Sequence, residues 1–220
     1  MAEVSVQERS GLVDPGTPSA EPFRTLRLAL QLRSDQRTGN IIVITSAVPE
    51  EGKSTVAANY ALISALSHGR VLLVDGDLRK PALHEVFGVD RSPGLVELLA
   101  READLREFVH RISGAGMLDL LPAGRAVPRS ADLASSPRMA ELLRQAAKQY
   151  KLVVIDAPPL LSAADAEALA SHPGVSVLVV ARRNGRKRPL IKTLRRLELV
   201  EADVAGIVVN RDGRAVAYGY

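Results

Sequence analysis

The chain has 220 residues and a mass of 23.6 kDa, the size of one ordinary domain with short arms. Apolar residues make up 46% and charged residues 25%, enough for a sizeable core, and 29 Lys and Arg against 25 Asp and Glu leave a mild +4 charge. The lack of cysteine excludes disulfide scaffolds, Cys-ligated zinc, iron–sulfur clusters and thiol nucleophiles in this chain. Aromatics at 3%, with no Trp, argue against a stacking platform for single-stranded nucleic acid.

No apolar run approaches the roughly 18 residues of a membrane span. The opening stretch MAEVSVQERSGLVDPGTPSAEP has neither part of a secretory signal, so the expectation is a soluble, cytoplasmic chain. Residues 1–20 carry Gly11, Pro15, Gly16 and Pro18 without an apolar period and read as a disordered or loosely attached arm. From Glu21 a helical pattern of Phe23, Leu26, Leu28, Leu30 and Leu32 begins, ending before Thr38-Gly39-Asn40.

Short apolar runs rich in β-branched residues or Leu then recur at Ile41–Ile44, Val71–Val74, Met117–Leu121, Leu152–Ile155, Val175–Val180 and Ala205–Val209, with polar residues only at Asp119 and Ser176. Unbroken rather than alternating runs suit strands covered on both faces. Helical stretches lie between them, for example Ser54–Ser67, Leu95–Ala100 and Ala131–Gln149. The fold expected is therefore α/β, a P-loop NTPase-type, mostly parallel sheet with helices on both faces. It would occupy residues 21–213 and be followed by a tyrosine-containing tail at 214–220.

After the first long strand the chain reads Ala47-Val48-Pro49-Glu50-Glu51-Gly52-Lys53-Ser54-Thr55, and a helix follows. This is almost G-x-x-x-x-G-K-[ST], with Ala47 for the first glycine. Phosphate binding needs backbone N–H groups at a helix N-terminus, a lysine for the β/γ-phosphates and a hydroxyl for Mg²⁺. Pro49 to Thr55 form that loop, with Lys53 and Ser54 in the last two roles. The simpler alternative is a helix start that happens to carry Gly-Lys-Ser, which the strand–loop–helix context disfavours.

Two strands end in acid: Val74-Asp75-Gly76-Asp77-Leu78-Arg79-Lys80-Pro81 and Ile155-Asp156-Ala157-Pro158-Pro159. In open α/β sheets ligands bind beyond the carboxyl ends of the strands, so both ends belong beside the phosphate loop. Carboxylates there can hold Mg²⁺ directly or through its waters. A single Asp after a strand is more often a helix N-cap. Three such residues in a chain with a phosphate loop point to metal and catalytic roles for Asp75, Asp77 and Asp156.

Together these motifs resemble the three Walker-type motifs of the bacterial tyrosine kinases of capsule and exopolysaccharide synthesis, over most of the chain from Glu21. Glu21-Pro22-Phe23-Arg24-Thr25-Leu26-Arg27 is similar to the E-x-x-R-x-x-R motif with which such kinases self-associate into rings. Ser92-Pro93-Gly94-Leu95 resembles the family's helix start, Gly206 to Arg211 the strand whose Asn lies near adenine, and Tyr218 and Tyr220 a short tyrosine cluster.

The resemblance implies an ATP- and Mg²⁺-dependent protein-tyrosine kinase that autophosphorylates Tyr218 and Tyr220. Lys53 and Ser54 would bind phosphate and Mg²⁺, and Asp77 and Asp156 would organise the metal. Asp75 would be the base for the incoming hydroxyl, Arg79 would contact phosphate, and Asn210 would lie at the nucleobase. Glu21, Arg24 and Arg27 would form the oligomer interface. A separate membrane-bound polysaccharide co-polymerase would activate the kinase at the inner face of the membrane, and a tyrosine phosphatase is a further implied partner. Two departures stand out: Glu50 occupies a position usually glycine, and the tyrosine tail is short.

The main rival is a deviant-Walker switch ATPase of the partition or division-positioning type. Its signature lysine falls at Val48 here. The basic run Arg182, Arg183, Arg186, Lys187, Arg188, Lys192, Arg195, Arg196 could contact DNA or an anionic leaflet, but a solvated helix face explains it equally well. A non-catalytic ATP-binding regulator is the other alternative. The four scattered histidines have no ligand spacing, so a metal hydrolase is not supported.

Overall fold

The computed structural model describes residues 4–5, 11–37, 39–101, 103–128, 130–172, 175–182 and 187–210. Eight strands form one sheet: β1 (Val4–Ser5), β2 (Ile41–Ser46), β3 (Val71–Asp75), β4 (His110–Ser113), β5 (Leu118–Leu121), β6 (Leu152–Asp156), β7 (Val175–Arg182) and β8 (Asp203–Asn210). Their order is β1-β4-β5-β3-β6-β2-β7-β8, and every pairing is parallel except β4 with β5. The helices are α1 (Glu21–Arg37), α2 (Lys53–His68), α3 (Leu83–Phe87), α4 (Leu95–Ala100), α5 (Ser130–Ala134), α6 (Pro137–Gln149), α7 (Asp165–Ala170) and α8 (Lys187–Leu199).

The unbroken apolar runs are unbroken because both sheet faces are covered. Ile41, Val43, Leu72, Val74, Val153 and Ile155 enter the core shared with α4 to α8. Their sequence neighbours Ile42, Ile44, Val71, Leu73 and Val154 enter the core beneath α1, α2 and α3. With a side-chain period of two, a polar residue in such a strand is buried wherever it points and needs partners, as Asp119 in β5 finds in Arg70, Arg111 and Tyr150. In β3 and β6 the first polar residues are Asp75 and Asp156, paired side by side at the carboxyl edge.

Three expectations are corrected. The single helix read over Ala131–Gln149 is two, α5 and α6, because Pro137 cannot continue a helix and pushes Ser136 into an extended conformation (φ −71°, ψ 151°). The Ser136 hydroxyl then caps α6 by accepting from Met139 N–H at 3.1 Å. Strands β1 and β4 carry no continuous apolar run and escaped the sequence reading.

The third correction concerns the described part of the arm read as disordered or loosely attached over residues 1–20. Val4–Ser5 pairs with β4 at the sheet edge. Residues 11–20 dock on α2, where Asn59, fully buried on an apolar face, accepts from Val13 N–H at 2.7 Å and donates to the Gly11 carbonyl at 2.8 Å. A buried amide must be satisfied, and this segment supplies the partners. No helix among the described residues is long and apolar enough to cross a membrane.

Candidate nucleotide and phosphotransfer site

The phosphate loop leaves β2 and turns into α2 through two left-handed residues, Glu50 (φ 66°) and Gly52 (φ 92°). Left-handed backbone costs a non-glycine residue about 1–2 kcal/mol, the physical reason a glycine would be favoured at position 50. The Glu50 side chain is exposed. Glu51, expected among the phosphate-binding residues of the loop, turns inward at 7% exposure, and its carboxylate accepts from Ala47 N–H at 2.9 Å and Val48 N–H at 3.1 Å.

The loop is also anchored to the segment after β6. The Thr45 hydroxyl donates to the Pro158 carbonyl at 2.7 Å, and Leu160 N–H donates to the Ser46 carbonyl at 2.8 Å.

Lys53 begins α2 and folds toward the two acidic strand ends. Its ammonium lies 2.9 Å from Asp77, 3.3 Å from Asp156 and 3.2 Å from the Ser54 hydroxyl. Burial disfavours the ammonium, but Asp156 and Asp77 outweigh burial and hold its pKa above the usual lysine value. Asp77 also accepts from Lys80 N–H at 3.0 Å, which fixes the turn after β3.

Asp156 is fully buried, and desolvation raises its pKa against the opposing pull of Lys53 and Ser54. Asp75 is equally buried. One of its oxygens caps α3 by accepting from Ala82 N–H at 3.1 Å and Leu83 N–H at 3.0 Å; the other is buried with no hydrogen-bond partner among the described residues. Desolvation first, and then the Asp156 charge, push the Asp75 pKa well above the ordinary carboxylate range.

One ammonium thus faces three buried carboxylates, and one carboxylate oxygen lacks a partner. Among the described residues no group of three or more His, Asp and Glu is arranged to hold a metal ion alone. The donors fit a hard divalent cation that takes its remaining oxygens from phosphate and water: two carboxylates, a hydroxyl and a local excess of negative charge.

Two other expected site residues make contacts of a different kind. Arg79 reaches not inward but to Asp165 at the start of α7, a residue 1% exposed whose carboxylate takes both Nε and Nη2 at 3.3–3.4 Å. Asn210, at the end of β8, donates from Nδ2 to the Glu51 carbonyl at 2.9 Å, so its amide lies on the phosphate loop.

Glu21 and Arg24 pair within α1, and Arg24 also donates to the Pro15 carbonyl. Arg27 lies near enough to Tyr60 to favour its phenolate, although burial dominates and pushes the Tyr60 pKa up to about 12. Tyr60 and Tyr150 are 2% and 3% exposed. Tyr218, Tyr220, Thr38, Arg183 and Arg186 lie outside the described residues.

The basic run divides along α8. Lys187, Arg188, Lys192 and Arg195 face solvent, while Arg196 is turned to Glu167 and to the Leu160 carbonyl.

Sequence reasoning put Glu51 in the phosphate loop without its inward turn onto Ala47 and Val48, and it missed Asn59 and Asp165. Asn59 stood out only as a polar residue within Val56-Ala57-Ala58-Asn59-Tyr60-Ala61. Asp165 gave no signal to separate it from a solvated acid.

The sequence matches the AAA domain family over residues 39–199. It is 35% identical over 211 residues to the tyrosine-protein kinase YwqD of Bacillus subtilis, spanning 95% of this chain and 89% of that protein. It is 39% identical to the putative tyrosine-protein kinase EpsB of Ralstonia solanacearum over 94% of this chain, a region equal to 28% of that longer protein. The fold superimposes on the kinase domain of the Escherichia coli tyrosine kinase ETK with a TM-score of 0.83 at 30% identity, covering 97% of this chain and 88% of that one. The likeness to the septum site-determining protein MinD of Pyrococcus horikoshii is weaker, with a TM-score of 0.66, 26% identity, and coverage of 80% and 72%. With the phosphate loop and paired acidic strand ends in place, the chain belongs to the bacterial tyrosine-protein kinase family, built on an AAA-type domain.

Proposed function

We propose that this chain is an ATP- and Mg²⁺-dependent protein-tyrosine kinase that autophosphorylates Tyr218 and Tyr220 in trans within a ring-like homo-oligomer. It would act in exopolysaccharide or capsule synthesis at the inner face of the membrane, beside a membrane-bound polysaccharide co-polymerase that activates it and a tyrosine phosphatase that resets it. The observation that carries the reading is the Lys53 ammonium held between Asp77 and Asp156 at the mouth of the phosphate loop.

Phosphoryl transfer has a loose transition state, so the protein's work is positioning and charge neutralisation. Bound Mg²⁺-ATP supplies the transferable phosphoryl group and a cation that neutralises charge developing on it. The N–H groups from Glu50 to Thr55 and the Lys53 ammonium hold the phosphates. Ser54, Asp77 and Asp156 would hold the cation, while Arg79, paired with Asp165, would brace the loop after β3. A tyrosine hydroxyl has a pKa near 10. The unpartnered Asp75 oxygen would take its proton as the new bond forms, a reading that its free acceptor capacity supports. Glu21, Arg24 and Arg27 present the self-association face of α1.

The test of the chemical role is Asp75→Asn. An amide oxygen still caps α3 but cannot accept the proton, so the phosphorylation rate should fall by about 10²–10⁴-fold with nucleotide affinity retained. An unchanged rate removes Asp75 as the base.

A further inference from the structure

We propose that Glu51 and Asn210 form a two-part clasp that shapes the phosphate loop, so that Asn210 positions phosphate-binding amides independently of the nucleobase. The inference rests on the nucleotide-binding part of the reading above and not on phosphotransfer.

Glu51 lies between the two left-handed residues Glu50 and Gly52, at the point where the loop reverses into α2. An acidic side chain in a loop that must receive a polyphosphate is unfavourable unless its charge is directed elsewhere. Here the carboxylate is buried and folds back to the loop's own beginning, accepting from Ala47 N–H at 2.9 Å and Val48 N–H at 3.1 Å. It closes the loop into a ring. Bonds from N–H donors to a carboxylate are among the stronger hydrogen bonds, so the ring is stiff, and its charge is spent on the strand side of the loop.

The second half comes from 159 residues away in sequence: Asn210 Nδ2 donates to the Glu51 carbonyl at 2.9 Å. The fit is close, since a Cβ on Gly52 would come within 2.1 Å of that same nitrogen. Gly52 is therefore needed twice, for its φ of 92° and for the room it leaves to the Asn210 amide. Asn210 fixes the Glu51 main chain while the Glu51 side chain fixes Ala47 and Val48. The amides that follow, from Gly52 to Thr55, inherit their orientation from that frame. Because β8 ends in Asn210, the clasp also joins one edge strand of the sheet to the nucleotide site.

A base-reading Asn and a loop-holding Asn differ in what their loss removes. The test is calorimetric binding of ADP, GDP and tripolyphosphate, each with Mg²⁺, to the full chain and to Asn210→Asp, Asn210→Ala, Glu51→Ala and Glu51→Gln. The clasp predicts that Asn210→Asp and Glu51→Ala weaken all three ligands about tenfold or more by a common factor, leaving the ADP-to-GDP ratio unchanged. Tenfold corresponds to about 1.4 kcal/mol. Glu51→Gln, which keeps an acceptor oxygen, should retain affinity within about threefold, a rescue that general loss of stability would not give.

Loss of ADP binding alone in the Asn210 variants, with tripolyphosphate unaffected, would overturn the proposal, as would Glu51→Ala binding like wild type. If the Asn210 variants do not fold, the Glu51→Ala and Glu51→Gln pair decides. Wild-type protein that binds none of the three ligands contradicts the nucleotide reading itself and takes the clasp with it. Wild-type binding that the variants fully retain overturns the clasp alone.

Discussion

The Lys53 ammonium lies 2.9 Å from the Asp77 carboxylate, joining the phosphate loop after β2 to the acidic end of β3. Both side chains are nearly buried, at 11% and 4% exposure. In such a setting, removing one partner costs more than the bond itself, because a charge is left behind in low dielectric.

Lys53→Met should therefore destabilise the protein by about 3–5 kcal/mol as well as abolish nucleotide binding. Chemical denaturation of Lys53→Met, Asp77→Asn and the double variant checks this. The double variant should be less destabilised than the sum of the single changes, and simple additivity would mean that the pair is not coupled.

Glu50 and Glu51 are adjacent acids with opposite fates, and their variants should separate. Glu50 is exposed and left-handed, so Glu50→Gly should stabilise the fold by up to about 1 kcal/mol. The part of the left-handed cost not recovered goes to the greater freedom of glycine in the unfolded chain. Urea denaturation reads the gain; a loss of stability would show that the Glu50 side chain makes a contact worth more than the backbone strain.

The turn into α4 carries a pH dependence of defined sign. The Glu97 carboxylate accepts from Gly94 N–H at 2.8 Å and Arg125 N–H at 3.1 Å. Burial works to raise its pKa, but these backbone donors prevail and hold it below the ordinary glutamate value. A depressed carboxylate contributes stability above its unfolded pKa and loses it as pH falls through the folded value. Glu97→Gln should accordingly be less stable than wild type near neutrality, with the gap closing on acidification below about pH 4. Melting curves across that range test it, and a pH-independent gap would contradict it.

Much of this architecture was legible in the sequence because buried parallel strands announce themselves. Ile41–Ile44, Val71–Val74 and Leu152–Ile155 have no polar residue until the carboxyl edge, so the runs gave both the strands and the places where chemistry emerges. Gly52-Lys53-Ser54 located the loop for the same local reason. What the sequence did not carry was pairing across distance. Nothing local to Asn59 indicates that it holds Gly11 and Val13, or that Asn210 reaches Glu51 and Asp165 takes Arg79. Strand β4, between β1 and β5, was missed because its burial is partial and its residues are mixed.

The docked segment gives a further prediction. Asn59→Ala removes both the acceptor for Val13 N–H and the donor to the Gly11 carbonyl. The lost bonds and unsatisfied buried groups should cost about 1–3 kcal/mol. Limited proteolysis should then cut within residues 11–20 well before the wild type is cut there. Equal protection would mean that Leu12 packing and the Arg24 contact with Pro15 hold the segment unaided.

The central claim, that the Lys53–Asp77–Asp156 cluster transfers phosphate to tail tyrosines, is tested most directly by intact-mass and peptide-mapping analysis after incubation with ATP and Mg²⁺. Wild-type chain, Lys53→Met and the Tyr218→Phe, Tyr220→Phe double variant would be compared, each with and without membranes from the source cell. The account predicts one or two added phosphates on Tyr218 and Tyr220, none on buried Tyr60 or Tyr150, and no addition in either variant. Steady ATP hydrolysis stimulated by DNA or lipid, with no phosphotyrosine under any condition, would contradict it.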